Sequence, residues 1–240
     1  MSTRFTLDGA DALERRLADT CADFGHGVQG IVPQDRLQAV LLGGGYGRGE
    51  GGVLATPAGD QPYNDLEFFV LVRGAPRLNE RRYGPALHAL AHRLTEALGI
   101  EVEFKLTSLE TLRDGPTTLF VHDLVRGHRV VFGLPDALTA CAAHGDATRI
   151  PLNEATRLLF NRCSGLLFAA ERLERAEFTA EDADFVGRNL AKLRLALGDV
   201  VLIAGRGDED AQEIDGAEFA VDDRQVARSL MAMLNAARPG

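Results

Sequence analysis

The feature that most constrains this chain is a strand that runs into glycine. LQAVLLG, residues 37–43, is a short continuous apolar run, the pattern of a strand buried on both faces. It continues into LLGGGYGRGEGG, Leu41 to Gly52, where seven of twelve residues are glycine. Glycine loses more backbone freedom on folding than any other residue, so such density needs a reason. A loop that merely turns accounts for two or three. Backbone N–H groups left uncovered by side chains account for more, because they can cradle an anion such as phosphate. Two phosphate loops are excluded at once. Gly47, Gly49 and Gly52 spell G-x-G-x-x-G, but a dinucleotide loop must open a helix. The following VLATPAGDQPYN has two prolines and no helical period. A P-loop needs G-K-[ST], which does not occur.

The next strand, DLEFFVLV (65–72), gives the glycines their meaning. Alternation puts Asp65, Glu67, Phe69 and Leu71 on one face and Leu66, Phe68, Val70 and Val72 on the other. Carboxylates two apart on a strand face are roughly 6–7 Å apart at the backbone, so they can converge on one point. Like charges that close repel unless one is protonated or a cation lies between them. A divalent ion that prefers oxygen ligands, such as Mg²⁺, resolves the conflict. The alternative for an isolated D-x-E is a solvated strand face. IEVEFKLTS (100–108) alternates in the same way, with Glu101, Glu103 and Lys105 opposite Val102, Phe104 and Leu106. If the two strands are neighbours, a third carboxylate joins the pair.

GGYGRGE (Gly44 to Glu50) followed by NDLEFFVLV resembles the nucleotidyltransferases of the DNA polymerase β superfamily. The heptapeptide is similar to the catalytic module of bacterial uridylyltransferases that modify the PII signalling protein. The resemblance spans residues 37–133 and is specific at the two motifs. It implies an α+β fold: a small mixed β-sheet flanked by helices (residues 1–145), then a helical domain (146–240) that caps substrate and nucleotide. It also implies a Mg²⁺-dependent enzyme, with Mn²⁺ as an alternative, that moves a nucleoside monophosphate from an NTP to a hydroxyl of a small molecule or protein and releases pyrophosphate. Gly44 and Gly45 would hold the triphosphate; Asp65, Glu67 and Glu103 would bind metal and carry catalysis. Arg48 and, in the helical half, Arg188 and Lys192 are candidate phosphate contacts, with a solvated surface role as the alternative; Arg157 and Arg162 are weaker ones. Two departures stand out: nineteen residues separate Gly45 from Asp65, and the second acid is glutamate. They motivate a second reading, a catalytically degenerate nucleotide-binding module. A third is an antitoxin-like nucleotidyltransferase acting on a protein or tRNA.

Periodicity sets the remaining layout. ADALERRLADTCADF (10–24) and YGPALHALAHRLTEALG (83–99) read as amphipathic helices, the latter stopping at Gly99. A short helix near 117–126 and a strand at 129–133 follow. After Leu152 the pattern turns helical, with Asn153 and Thr179 as expected N-caps and Gly205 as a stop. Residues 207–223 read as an acidic connection and 224–237 as a last helix. A net charge of −9 argues against a nucleic-acid partner, which needs a basic surface. Cys21, Cys141 and Cys163 match neither a zinc nor a disulfide spacing, and no long apolar segment is present, so a cytoplasmic protein is expected. His88 and His92 form H-x-x-x-H, but residue 89 is alanine rather than the glutamate of a zinc motif, so they read as surface histidines.

Overall fold

The computed structural model describes residues 4–205, which divide into two compact units between Arg149 and Ile150. The expected segments at 207–223 and 224–237 lie outside the described residues. The first unit runs α1 (Asp11–Ile31), β1 (Leu37–Leu42), α2 (Gly44–Arg48), β2 (Val53–Thr56), β3 (Gly59–Pro62), β4 (Leu66–Val72) and α3 (Pro76–Leu98). It continues through β5 (Val102–Thr107), α4 (Leu109–Asp114), α5 (Leu119–Arg126) and β6 (Arg129–Phe132) to two 3₁₀ segments, Thr139–Gly145 and Ala147–Arg149. Four strands form one mixed sheet in the order β5-β4-β1-β6. β4 and β5 are parallel, while β1 is antiparallel to both its neighbours. This is the expected α+β sheet flanked by helices.

The alternation along β4 sorts its side chains into two cores. Leu66, Phe68, Val70 and Val72 pack with Leu17, Phe24, Val28 and Leu87 from α1 and α3. Phe24 stacks on Phe68, with ring centroids 4.0 Å apart. On the other face Phe69 and Leu71 join Leu112, Val121, Leu124 and Cys141, beneath α4, α5 and the first 3₁₀ segment. Apolar burial on both faces is the main favourable term holding such a sheet.

Two helices extend beyond their expected limits. α1 continues seven residues past Phe24, through Gly25 and Gly27. A Cβ at Gly25 would meet Val131 at 2.9 Å, and one at Gly27 would meet Leu90 at 2.6 Å. Those glycines are close-packing positions rather than helix stops. α3 starts seven residues earlier than expected, with Pro76 in the first turn where its missing N–H costs nothing. It continues across Pro85 because Tyr83, Leu87, Leu90 and Leu94 are buried in the core. Residues 53–62 form a β-hairpin, an element that the polar sequence did not announce.

The second unit contains α6 (Leu152–Leu173) packed with α7 (Ala180–Ala204). α6 is capped at Pro151, so Asn153 lies inside the helix rather than at its cap. Thr179 caps α7 in a reciprocal capping box with Asp182. Asp182 is buried, and hydrogen bonds from the Thr179 amide and hydroxyl hold its carboxyl below the usual range, with Arg175 and Arg172 adding to this. Among the described residues no helix is long and apolar enough to cross a membrane.

Candidate functional site

Because β1 and β4 are antiparallel, the end of β1 and the start of β4 reach the same edge of the sheet. Leu42 pairs with Phe68, and the Gly43 amide then donates to the Glu67 carbonyl at 2.9 Å. The glycine run turns there. Contrary to the sequence expectation of an open loop, residues 44–48 form one helical turn, α2, entered through Gly44 at φ +60°. The turn leaves its first N–H groups without intrahelical acceptors, and Gly44 and Gly45 supply two of them.

Most of the other glycines serve contact. A Cβ on Gly43 would stand 2.5 Å from the Phe69 ring, and one on Gly47 would stand 2.3 Å from the Leu42 carbonyl oxygen. One on Gly51 would fall 1.9 Å from the Tyr46 ring. α2 therefore lies flat against the sheet edge, at a separation that a methyl group would prevent.

Tyr46 is a positioning residue that the sequence reading missed. It is buried in the core, and its hydroxyl donates to the Gly52 carbonyl at 2.7 Å. The same oxygen accepts from the amides of Tyr63 (3.0 Å) and Asn64 (3.3 Å). One phenol thus joins both ends of the hairpin segment, and the chain leaves it at Asp65. The available signal was a lone aromatic among glycines. Tyr46→Phe is expected to cost about 1–2 kcal/mol, because it removes three hydrogen bonds and leaves the Asn64 amide without its acceptor, while the Tyr63 amide keeps its bond to the Gly52 carbonyl. Denaturant unfolding measures the loss, and faster hydrogen exchange at the Asn64 amide locates it.

The acids occupy the same edge. Asp65 immediately precedes β4 and is exposed; Glu67 is half-buried in its first turn of alternation. The Glu67 carboxylate lies against Gly44, whose added Cβ would be 3.4 Å from the carboxyl carbon. In the parallel β4–β5 register Glu67 faces Glu103 directly, and the Leu66 amide bonds to the Glu101 carbonyl one step earlier. Glu103 is therefore the partner across from Glu67, with Glu101 level with Asp65. Desolvation raises the Glu103 carboxyl above the ordinary glutamate value, and the charges of Glu101 and Asp65 raise it further. Among the described residues no three His, Cys, Asp or Glu side chains are gathered closely enough to hold a metal ion. The strands align these acids without drawing them into a closed ligand set.

The raised value has a stability consequence. The folded chain takes up the Glu103 proton more readily than the unfolded one, so ionised Glu103 opposes folding at neutral pH. Stability from this group rises as pH falls through its raised value towards the ordinary one. Glu103→Gln is expected to raise the melting temperature at pH 7 in chelator and to flatten its pH dependence. A melting temperature that falls on substitution contradicts this.

The candidate cations are dispersed. Arg48 sits at the opposite end of α2 from Gly44 and pairs with Glu50 at 3.0 Å. Arg188 and Lys192 lie on α7 in the second unit, where Arg188 pairs with Asp184 at 3.0 Å. Arg157 pairs with Glu154 at 2.9 Å. His88 and His92 are exposed on α3, near Glu80 and Glu96 respectively.

No known family profile matches the chain, and no curated protein sequence does. Two solved structures are similar in part. One is a toxin–antitoxin structure with AMP-PNP, 18% identical with a TM-score of 0.35, covering 52% of this chain and 82% of its own. The other is the toxin–antitoxin MntA–HepT, 16% identical with a TM-score of 0.32, covering 52% and 79%.

Proposed function

We propose that the protein is a Mg²⁺-dependent nucleotidyltransferase that transfers a nucleoside monophosphate from an NTP to a hydroxyl and releases pyrophosphate. The observation that carries this is the Glu67 carboxylate resting on Gly44 while Glu103 faces it from the neighbouring strand. A triphosphate needs uncovered N–H donors, and its counter-ion needs oxygen ligands; both kinds of group occur at one edge.

The donor set suits a hard divalent cation, since the aligned groups are all carboxylates. The raised Glu103 value reflects negative charge that a cation would neutralise. Asp65, Glu67 and Glu103 would hold the ion, which when bound would polarise phosphate oxygens and acidify the acceptor hydroxyl. Gly44 and Gly45 orient the phosphates through their amides. Glu103 receives the acceptor's proton as its oxygen bonds to the α-phosphorus and the bond to pyrophosphate breaks. The raised affinity of Glu103 for a proton suits that task.

The test is calorimetric titration with ATP, GTP, CTP and UTP, with and without Mg²⁺, alongside an assay for pyrophosphate. Mg²⁺-dependent binding of at least one NTP and slow pyrophosphate release are expected. No Mg²⁺-dependent binding overturns the proposal. Tight binding without release, across a panel of hydroxyl acceptors, favours a nucleotide-binding module without catalysis. The unclosed carboxylate set is the observation that keeps this second reading in play.

A further inference from the structure

We propose that the first unit carries a second ligand site, a basic cleft along β6 that takes a small molecule bearing a phosphate and a hydroxyl. On the transferase reading this ligand is the acceptor, and that role rests on that reading; the site itself does not.

The cleft measures about 780 Å³ and is bounded on one side by the end of α2 and on the other by the segment leading into β6. Its charged lining is Arg48, Arg126, Arg129 and a single acid, Glu50. Three guanidiniums against one carboxylate form a cationic concentration in a chain whose net charge is −9. Such a patch attracts oxyanions, and guanidinium groups match phosphate geometry.

Each arginine is placed by its surroundings. The Arg48 stem lies over Gly127, where a Cβ would meet its Cγ at 2.3 Å. Its Nε bonds Glu50, which leaves the other N–H donors of the fork for a ligand. Arg129 donates to the Arg4 carbonyl at 2.6 Å and lies over the Phe5 ring at 3.9 Å. Arg126 is exposed at the end of α5, and among the described residues no ion pair engages it. Two guanidiniums are thus held in place by their surroundings, and the third is exposed to meet an anion.

His128 supplies the second half of the specificity. Its Nδ1 is 2.8 Å from the Leu124 carbonyl, which can only accept, so Nδ1 carries the proton and Nε2 the lone pair. Burial favours the neutral ring. A neutral histidine beside three arginines adds no charge; it offers an acceptor, which suits a ligand hydroxyl. Val131 and Pro135 extend the lining with apolar surface for the ligand's carbon skeleton.

The site is separate from the glycine edge. Gly44 and Arg48 stand four residues apart along α2, ~6 Å at 1.5 Å per residue, and neither Gly44 nor Gly45 lines the cleft. On this proposal Arg48 serves the second ligand rather than the triphosphate.

The experiment uses the full chain and follows the imidazole NMR signals of His128, assigned with His128→Gln. Inorganic phosphate and phenyl phosphate are titrated at constant ionic strength, with chloride as the control. Saturable shifts with phosphate are expected, and a midpoint about tenfold lower for phenyl phosphate because its ring adds apolar burial. Arg126→Ala is expected to weaken both about tenfold while leaving Mg²⁺–NTP binding unchanged. Shifts equal to those with chloride, or an Arg126→Ala titration matching the parent, overturn the site. Phosphate shifts without NTP binding support the cleft and remove the transferase reading. NTP binding without phosphate shifts does the reverse.

Discussion

Replacing Asp65 and Glu67 together with alanine is expected to reduce pyrophosphate release at least about a thousandfold, to background. Both acids project from the uncovered end of one β4 face, and the neighbours that hold the strand, Leu66 and Phe68, are fully buried on the other. The substitution removes charge without opening the core. It also removes the Asp65 charge that raises Glu103, and the melting temperature in chelator checks that the fold is kept. Loss of turnover with a retained fold distinguishes a site from a structural pair. Turnover unchanged in the double variant refutes the assignment of both residues.

The second large effect is structural. Gly47→Ala is expected to destabilise the first unit by about 3 kcal/mol or more, roughly 10 °C in melting temperature. The added methyl would lie 2.3 Å from the Leu42 carbonyl oxygen and 2.9 Å from its carbon. Both are backbone atoms of a central strand that β4 and β6 hold from either side, so neither can swing away. Gly45→Ala is the control, since its Cβ would find its nearest neighbour at an ordinary 3.4 Å. Calorimetric melting should separate the two substitutions widely. Similar losses at both positions would mean that backbone entropy, not contact, explains the glycines.

The two-residue alternation made much of the sheet legible. It placed Asp65 and Glu67 on the face shared with Phe69, and Glu103 on the matching face of its strand, before the register brought Glu67 and Glu103 opposite each other. Local sequence could not reveal α2, because a glycine-rich segment is among the poorest intrinsic helix formers. Its helical turn exists because Tyr46 is buried and Gly47 seats against β1, both tertiary effects. The extended α1 and α3 follow the same logic: packing overrides Gly25, Gly27 and Pro85. The hairpin escaped notice because Gly59–Pro62, GDQP, lacks strand-forming residues; pairing with β2 supplies the order. Arg48 illustrates a different limit. Its place in the motif was plain, but its direction depends on which side of a helical turn it leaves.

The tie made by the Tyr46 hydroxyl changes how the long spacing before Asp65 is understood. Gly52 and Tyr63 are held to one oxygen, so the contour between them is a closed excursion rather than a tether. Distance along the chain and distance in space are decoupled at that point. The acids are therefore kept beside the glycines by the ends of the excursion, while its tip is held separately, through Asp60 and Gln61, to Ala10 and Arg16 at the start of α1. The stretch is two anchors in series, in the very place where a fixed spacing would have seemed obligatory.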